Sequence, residues 1–386
     1  MLTDRQKTTN NTGTQVEKSH ETKSEMGQQH SYSTNFKSEC LKDHVLGTIY
    51  GNCIGDAIGL LTEFMNKEQA AKEYPNKPLE YSSKTLIPKQ FRHQHRFPVA
   101  DWTDDSDQMI LIMQSLTDNK GKTVATDFAD RMLTWAKEGF KELGDSCGMG
   151  IGRTTGMVLY DLSFTTDPHE SAKYVWESGN KSIAPNGAVM RTSIIGICNF
   201  GNMKTVISNT INICKVTHAD PRCQVSTVAV TTAIAMMLQG KYFKDGTYDV
   251  SKLSEDAFNY AKEHLPKLED GNEDPDAIAE LRRHMFANSL DELNLAEVGK
   301  IGYTYKCLGA GFWAFRQDNF RDAIEAITME AGDADTNGAV AGALLGCKLG
   351  AAALPASWRD QLKHKTWLDK QIRNFVTACK IPIKME

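Results

Sequence analysis

From Leu41 onward the apolar residues recur mostly at helical spacing. Met109, Ile110, Ile112, Met113 and Leu116 form one such run, and Val225, Val228, Ala229, Thr232, Ile234 and Met236 form another. Residues three and four apart share a helix face, so each run predicts a helix with a wide buried side. Sustained alternation of apolar and polar residues, which marks a half-buried strand, is scarce. The chain therefore reads as all-α, with one domain over 39–386. Residues 1–38 are mostly Thr, Ser, Asn, Gln, Lys and Glu with almost nothing to bury, and predict a disordered tail. The polar, acidic stretch 242–298 has the composition of an insertion or a surface segment. No internal repeat of solenoid length is found.

Two segments carry glycine at every fourth position. They are Gly47, Gly51, Gly55 and Gly59, and Gly338, Gly342, Gly346 and Gly350. Positions four apart lie on one face of a helix, and each helical glycine costs about 1 kcal/mol relative to alanine. Two such faces predict two helices whose backbones approach closely, against each other or on a shared centre. The plainer alternative is a pair of loops that merely contain glycine.

Composition narrows the class without naming it. Of 386 residues, 40% are hydrophobic and 24% charged, enough apolar material for a large core. The net charge of −5 leaves no footprint for nucleic acid or an anionic membrane. No apolar run is long enough to span a bilayer, and the N-terminus lacks the apolar core of a secretory signal. The nine cysteines are spread singly. An odd count in a long chain argues against a disulfide framework and for a reducing, cytoplasmic setting.

The chemistry concentrates in two acidic clusters at predicted helix starts. The first is Thr103-Asp104-Asp105-Ser106-Asp107, and the second is Asp333-Ala334-Asp335-Thr336. Thr and Asp are good caps, and acids there favour the helix dipole, so capping alone explains part of each cluster. One cap needs one residue, however, and crowded carboxylates repel unless a proton or cation lies between them. Two Thr/Asp/Asp sets converging on one or two hard divalent ions fit magnesium, which takes oxygen ligands, better than zinc. Glu63, among Leu60, Leu61 and Phe64, is either a surface residue or a partly buried general base or acid at the mouth of such a site. Asp56, on the first glycine-striped helix, is expected to pair or to bind.

Three further segments read as ligand loops. The glycine-rich run 148–155, with Gly150 and Gly152, could cradle phosphate on backbone N–H groups, or be a flexible connection. Pro185-Asn186-Gly187 is a turn entering a helix that contains Arg191. His218, in the turn before the helix over 223–238, is a ligand contact or a satisfied histidine. His93 and His95 in FRHQHRF offer a competing zinc pair, with no partner motif beside them.

Taken in order, GDAIG…E (55–63), WTDDSDQM (102–109), PNGAVMR (185–191), THADP (217–221) and GDADTNGAVAGALLG (332–346) resemble the ADP-ribosylglycohydrolase family. The segment IGYTYKCLGAGFWAF (301–315) is similar to a further stretch of it. The resemblance covers about residues 42–360. It implies a compact orthogonal helical bundle around a binuclear magnesium site, with Thr103, Asp104, Asp105, Asp333, Asp335 and Thr336 as the ligands of two Mg²⁺ ions. It implies Glu63, Asp104 and Asp105 as catalytic carboxylates. Gly150, Gly152, Asn186, Gly187, Arg191 and His218 would bind substrate. The activity implied is magnesium-dependent cleavage of the glycosidic bond between ADP-ribose and an acceptor, on an ADP-ribosylated protein or a small ADP-ribose conjugate, by a monomer. Arginine, serine, a nucleic-acid base, poly(ADP-ribose) and O-acetyl-ADP-ribose all remain open as acceptors. The second metal motif reads AGDADT where GGDTDT is commoner, and Ala-Pro precedes the NGA motif; no ligand position is lost. The alternative is an inactive ADP-ribose-binding or crystallin-like protein on the same fold.

Overall fold

The computed structural model describes residues 31–76, 78–86 and 93–385. The first half contains α1 (Ser38–Gly59), α2 (Lys67–Glu73), α3 (Asp104–Asp118), α4 (Ala125–Glu138), α5 (Arg153–Leu159), α6 (Pro168–Ser178), α7 (Met203–Cys214) and α8 (Pro221–Leu238). A two-residue-per-strand hairpin (Phe243–Lys244 with Thr247–Tyr248) follows. The second half contains α9 (Val250–Lys262), α10 (Pro275–Met285), α11 (Leu290–Leu293), α12 (Thr304–Phe315), α13 (Phe320–Glu330), α14 (Ala334–Leu349), α15 (Ala356–Arg359) and α16 (Lys365–Ala378). The fold is all-α, and no helix among the described residues is long and apolar enough to cross a membrane. All nine cysteines are unpaired.

The two glycine-striped helices are α1 and α14, and they form the centre. They run antiparallel, with Gly47 against Gly346, Gly51 against Gly342, Gly55 against Gly338, and Gly59 against Ala334. A Cβ on Gly47, Gly51 or Gly55 would lie 1.9–2.1 Å from a carbonyl oxygen of the partner helix, so only glycine permits this approach. Both helices are buried around most of their circumference, as expected of central rather than amphipathic surface helices. α12 and α13 pack on α14, α16 packs on α3, and α8 is covered by α7 and α9. This seam has a direct consequence for the site. The C-terminal end of α1 meets the N-terminal end of α14, and Asp56 on α1 reaches the N-terminal end of α3.

Three expectations need correction. Residues 1–30 of the polar tail lie outside the described residues, but Ser31–Lys37, which shares its composition, is held against the fold. There the Tyr32 hydroxyl donates to the Cys379 carbonyl (2.6 Å), Thr34 Oγ1 donates to the Leu238 carbonyl (2.6 Å), and Phe36 stacks on His44. The 242–298 stretch is not confined to the surface: Leu253, Ala257, Phe258 and Ala261 of α9, and Leu281 and Met285 of α10, belong to the main core. Their spacing is helical, and the acidic residues between them cover the solvent side, which made the stretch look uniformly polar. No helix follows Pro185-Asn186-Gly187; turns lead instead to a 3-10 segment at Ser193–Gly196.

Candidate active site

Two helix starts face each other across the end of the α1–α14 seam. Thr103 caps α3, with Asp104 and Asp105 in its first turn. Asp333 precedes α14, with Asp335 and Thr336 in its first turn. The two sets interlock. Thr103 Oγ1 donates to Asp335 (3.4 Å), and Thr336 Oγ1 lies 3.2 Å from both carboxylate oxygens of Asp105. Each threonine therefore serves an acid of the other helix.

The four polar residues opening α3 point in different directions. Asp104 faces the cleft, and its carboxylate accepts from Gln108 Nε2 one turn on (2.7 Å). Ser106 turns to Asp56, which accepts from the Ser106 hydroxyl (2.6 Å), the Ser106 N–H (3.0 Å) and the Thr103 N–H (3.0 Å). Asp107 accepts from the indole N–H groups of Trp102 (2.8 Å) and Trp135 (3.0 Å). Trp135 in turn lies under the glycine loop, where a Cβ on Gly148 would meet its ring at 2.8 Å. Gly150, at φ +95°, passes directly over Asp104: a Cβ there would lie 2.3 Å from the Asp104 carboxylate. Gly152 has open space on that side.

Glu63 lies in the turn after α1 and is 5% exposed. The turn is tied to the start of α14 by backbone bonds, Phe64 N–H to Gly332 O (2.7 Å) and Gly332 N–H to Met65 O (3.0 Å). Oxygens of Glu63, Asp333 and Asp335 lie within 4.8 Å of one another, as do oxygens of Asp56, Asp105 and Asp335. Asp56 accepts three hydrogen bonds at the start of α3, and its carboxylate also lies beside Asp105 and Asp335.

The electrostatics follow from crowding. Burial pushes the carboxyls of Asp104, Asp105 and Asp335 well above the usual range, and the neighbouring carboxylates add to the effect. Burial also raises Asp333 and Glu63. The Asn186 side chain opposes this at Asp333, to which it donates at 2.8 Å, and an ion pair with His93 opposes it at Glu63. Asp56 is pushed up to about 7 by burial, against its hydrogen bonds from Ser106 and Thr103. A cluster of buried carboxylates and hydroxyls with so little compensating positive charge is a donor set that a hard divalent cation satisfies.

The predicted residues line the same cleft of ≈ 310 Å³, with two exceptions, Thr103 and Arg191. Glu63, Asp104, Asp105, Gly150, Gly152, Asn186, Gly187, His218, Asp333, Asp335 and Thr336 all border it. Thr103 reaches it through Asp335. Arg191 does not border it: it is fully buried, and its guanidinium stacks 5.0 Å from the Phe128 ring centroid. Arg191 instead braces two site residues from beneath. One amino group donates to Gln108 Oε1 (2.6 Å), which holds Asp104; the other donates to Thr217 Oγ1 (2.7 Å), which lies 2.7 Å from His218 Nδ1. Arginine only donates, so Thr217 accepts from it and has its own proton for Nδ1. Burial, with Arg191 adding, holds His218 well below its ordinary pKa, hence neutral. The ring proton then sits on Nε2, an otherwise unpartnered buried atom that would be 3.1 Å from a Cβ on Gly187. His218 thus offers a neutral donor to an oxygen in the cleft.

Sequence reasoning missed Gln108, Thr217 and Trp135, which brace the site without bordering the cleft, and Arg153, Phe64, Met190 and Ile301, which line it. Arg153 was legible as a cation following the glycine loop. His93 was visible only as half of a zinc pair; the structure gives it Glu63 as its partner and leaves His95 exposed.

The comparisons with known proteins point to one family. The family model described as ADP-ribosylglycohydrolase matches residues 37–382. The chain is 23% identical over 336 residues to the ADP-ribosyl-[dinitrogen reductase] glycohydrolase of Rhodospirillum rubrum, covering 87% of this chain and 95% of that one. It is 24% identical over 329 residues to the ADP-ribosylarginine hydrolase Tri1 of Serratia proteamaculans, covering 84% of this chain and 76% of that one. A solved structure titled ADP-ribosylglycohydrolase-related protein complex shares the fold, with a TM-score of 0.63 at 22% identity, covering 89% of this chain and 100% of that one.

Proposed function

The chain belongs to the ADP-ribosylglycohydrolase family, and from that premise we propose that it is a magnesium-dependent hydrolase that releases ADP-ribose from a modified protein side chain, with arginine the acceptor we put first. The observation that carries this reading is the interlocked pair of helix starts. Asp104 and Asp105, with Thr103 reaching across to Asp335, face Asp333, Asp335 and Thr336 at a cleft that also holds Glu63, a glycine loop and a neutral histidine donor. Arginine is put first because a relative bears the name of an ADP-ribosylarginine hydrolase.

Two Mg²⁺ ions held by Thr103, Asp104, Asp105, Asp333, Asp335 and Thr336 would neutralise the cluster and acidify a bound water. The chain's own residues supply the rest. The scissile bond is glycosidic, so the transition state gathers positive charge at the sugar C1″, which the carboxylates of the cleft favour. Glu63 accepts the proton of the attacking water; burial raises its basicity, and the contact with His93 opposes part of that rise. Asp104 is fixed through Gln108 and Arg191. The backbone N–H groups around Gly150 and Gly152, with Arg153 beside them, suit a diphosphate. His218 donates from Nε2 to a substrate oxygen.

The test is release of free ADP-ribose from arginine- and serine-linked ADP-ribosyl peptides, with Mg²⁺ and with EDTA. Magnesium-dependent release from the arginine peptide is expected. Release from neither peptide, together with calorimetric binding of ADP-ribose, would replace the hydrolase by a binding protein on the same fold.

A further inference from the structure

Glu63 is held at two points by two consecutive residues from a distant part of the chain. His93 Nε2 pairs with Glu63 Oε2, and Gln94 Nε2 donates to the Glu63 main-chain carbonyl (2.5 Å). One contact fixes the carboxylate and the other fixes the turn that carries it. The His93 ring is itself wedged between aromatics, 4.7 Å from the Phe64 ring centroid and 5.6 Å from that of Phe97. The segment behind it is anchored by Lys84, whose ammonium donates to the carbonyls of Phe97 (2.6 Å) and Pro98 (3.2 Å). Gln94 is 1% exposed and Lys84 5%. A buried lysine directed at two carbonyls is an unusual use of a charge, and here it secures the segment that carries His93 and Gln94.

We propose that His93 is the positioning residue for Glu63. With Oε2 beside His93, Oε1 is the Glu63 oxygen outside that contact, on a carboxylate that borders the cleft and lies near Asp333 and Asp335. A carboxylate free to rotate would present either oxygen. One oxygen in contact with an imidazole that packs against two rings leaves the other as the basic oxygen. This is the arrangement by which an outer partner orients a reacting group elsewhere in enzymes, with the carboxylate and the histidine in exchanged roles. It also removes His93 from the zinc pair, since His95 is exposed and no third ligand joins them among the described residues.

The inference rests on the reading of Glu63 as the base, and its test separates the two. Against an arginine-linked ADP-ribosyl peptide at saturating Mg²⁺, His93→Ala is expected to lower kcat about 10–100-fold. KM should change less than about 3-fold, because nothing that faces the cleft is removed. His93→Gln, which keeps an N–H donor of similar reach, is expected to recover much of the loss. Glu63→Gln should be more impaired than either. The second readout needs no turnover. In ¹⁵N-histidine spectra of the metal-free protein, the His93 Nε2 resonance should move on Glu63→Ala, while that of His218 stays. A His93 resonance indifferent to Glu63→Ala, or a His93→Ala kcat within about 2-fold of wild type while Glu63→Gln is impaired, would overturn the role of His93 and leave Glu63 standing. Equal losses in His93→Ala and His93→Gln with a lowered Tm would also overturn it, in favour of a purely structural contact. A fully active Glu63→Gln would overturn the base assignment, and this inference with it.

Discussion

The two helix starts that make the site carry nearly the same residues and are held by opposite means. The start of α3 is fixed by a side chain: Asp56, from α1, accepts two backbone N–H groups and a hydroxyl there. The start of α14 has no side-chain cap. It is fixed by backbone, through the glycine seam along α1 and the reciprocal bonds between Gly332 and the Phe64–Met65 turn. α1 is the common support, so one helix sets the distance between both halves of the acidic cluster. The difference shows where tolerance lies. A side-chain cap can be replaced at a bounded cost, whereas a backbone seam admits no added atom without separating the helices.

Gly55→Val breaks the seam where a Cβ would lie 1.9 Å from Gly338 O. We expect more than about 3 kcal/mol of destabilisation, seen as lost soluble protein or a large fall in Tm. Asp56→Ala strikes the other half. It leaves the N–H groups of Thr103 and Ser106 buried without an acceptor, and we expect about 2 kcal/mol by urea denaturation, with a folded protein remaining. If Asp56→Ala proved the more damaging of the two, the assignment of supports would be reversed.

The smallest effect sharpens the comparison through pH. Asp104, Asp105 and Asp335 are all raised, and Asp56 is pushed up to about 7. Between the ordinary carboxylate range and those raised values, the folded state holds protons that the unfolded chain has lost. Stability therefore falls as pH rises through that window. In EDTA, Tm should decline from about pH 5 to about pH 8, and saturating Mg²⁺ should flatten the decline because a bound cation replaces the protons. A Tm in EDTA that rises across this range would contradict the crowding that defines the cluster.

What could be read from the chain, and what could not, follows from the same physics. The glycine period names the seam because a four-residue repeat has one geometrical meaning on a helix. The acidic clusters were legible because they exceed what capping needs. Arg191 was misplaced because a motif shows proximity to a site and not depth beneath it; Phe128, Gln108 and Thr217, its partners, come from three other elements. α9 and α10 were read as surface because their acidic faces outnumber the buried leucines that fix them to the core. The partner of His93 was hidden because only the folded chain brings Glu63 to it.

The most direct measurement is calorimetric titration of Mg²⁺ into chelator-treated protein, comparing wild type with Asp105→Asn, from the start of α3, and Asp335→Asn, from the start of α14. One centre built from both helix starts predicts two ions bound by wild type and weakened binding in both variants, each still folded by circular dichroism. Undiminished binding in either variant, or none in wild type, would contradict it.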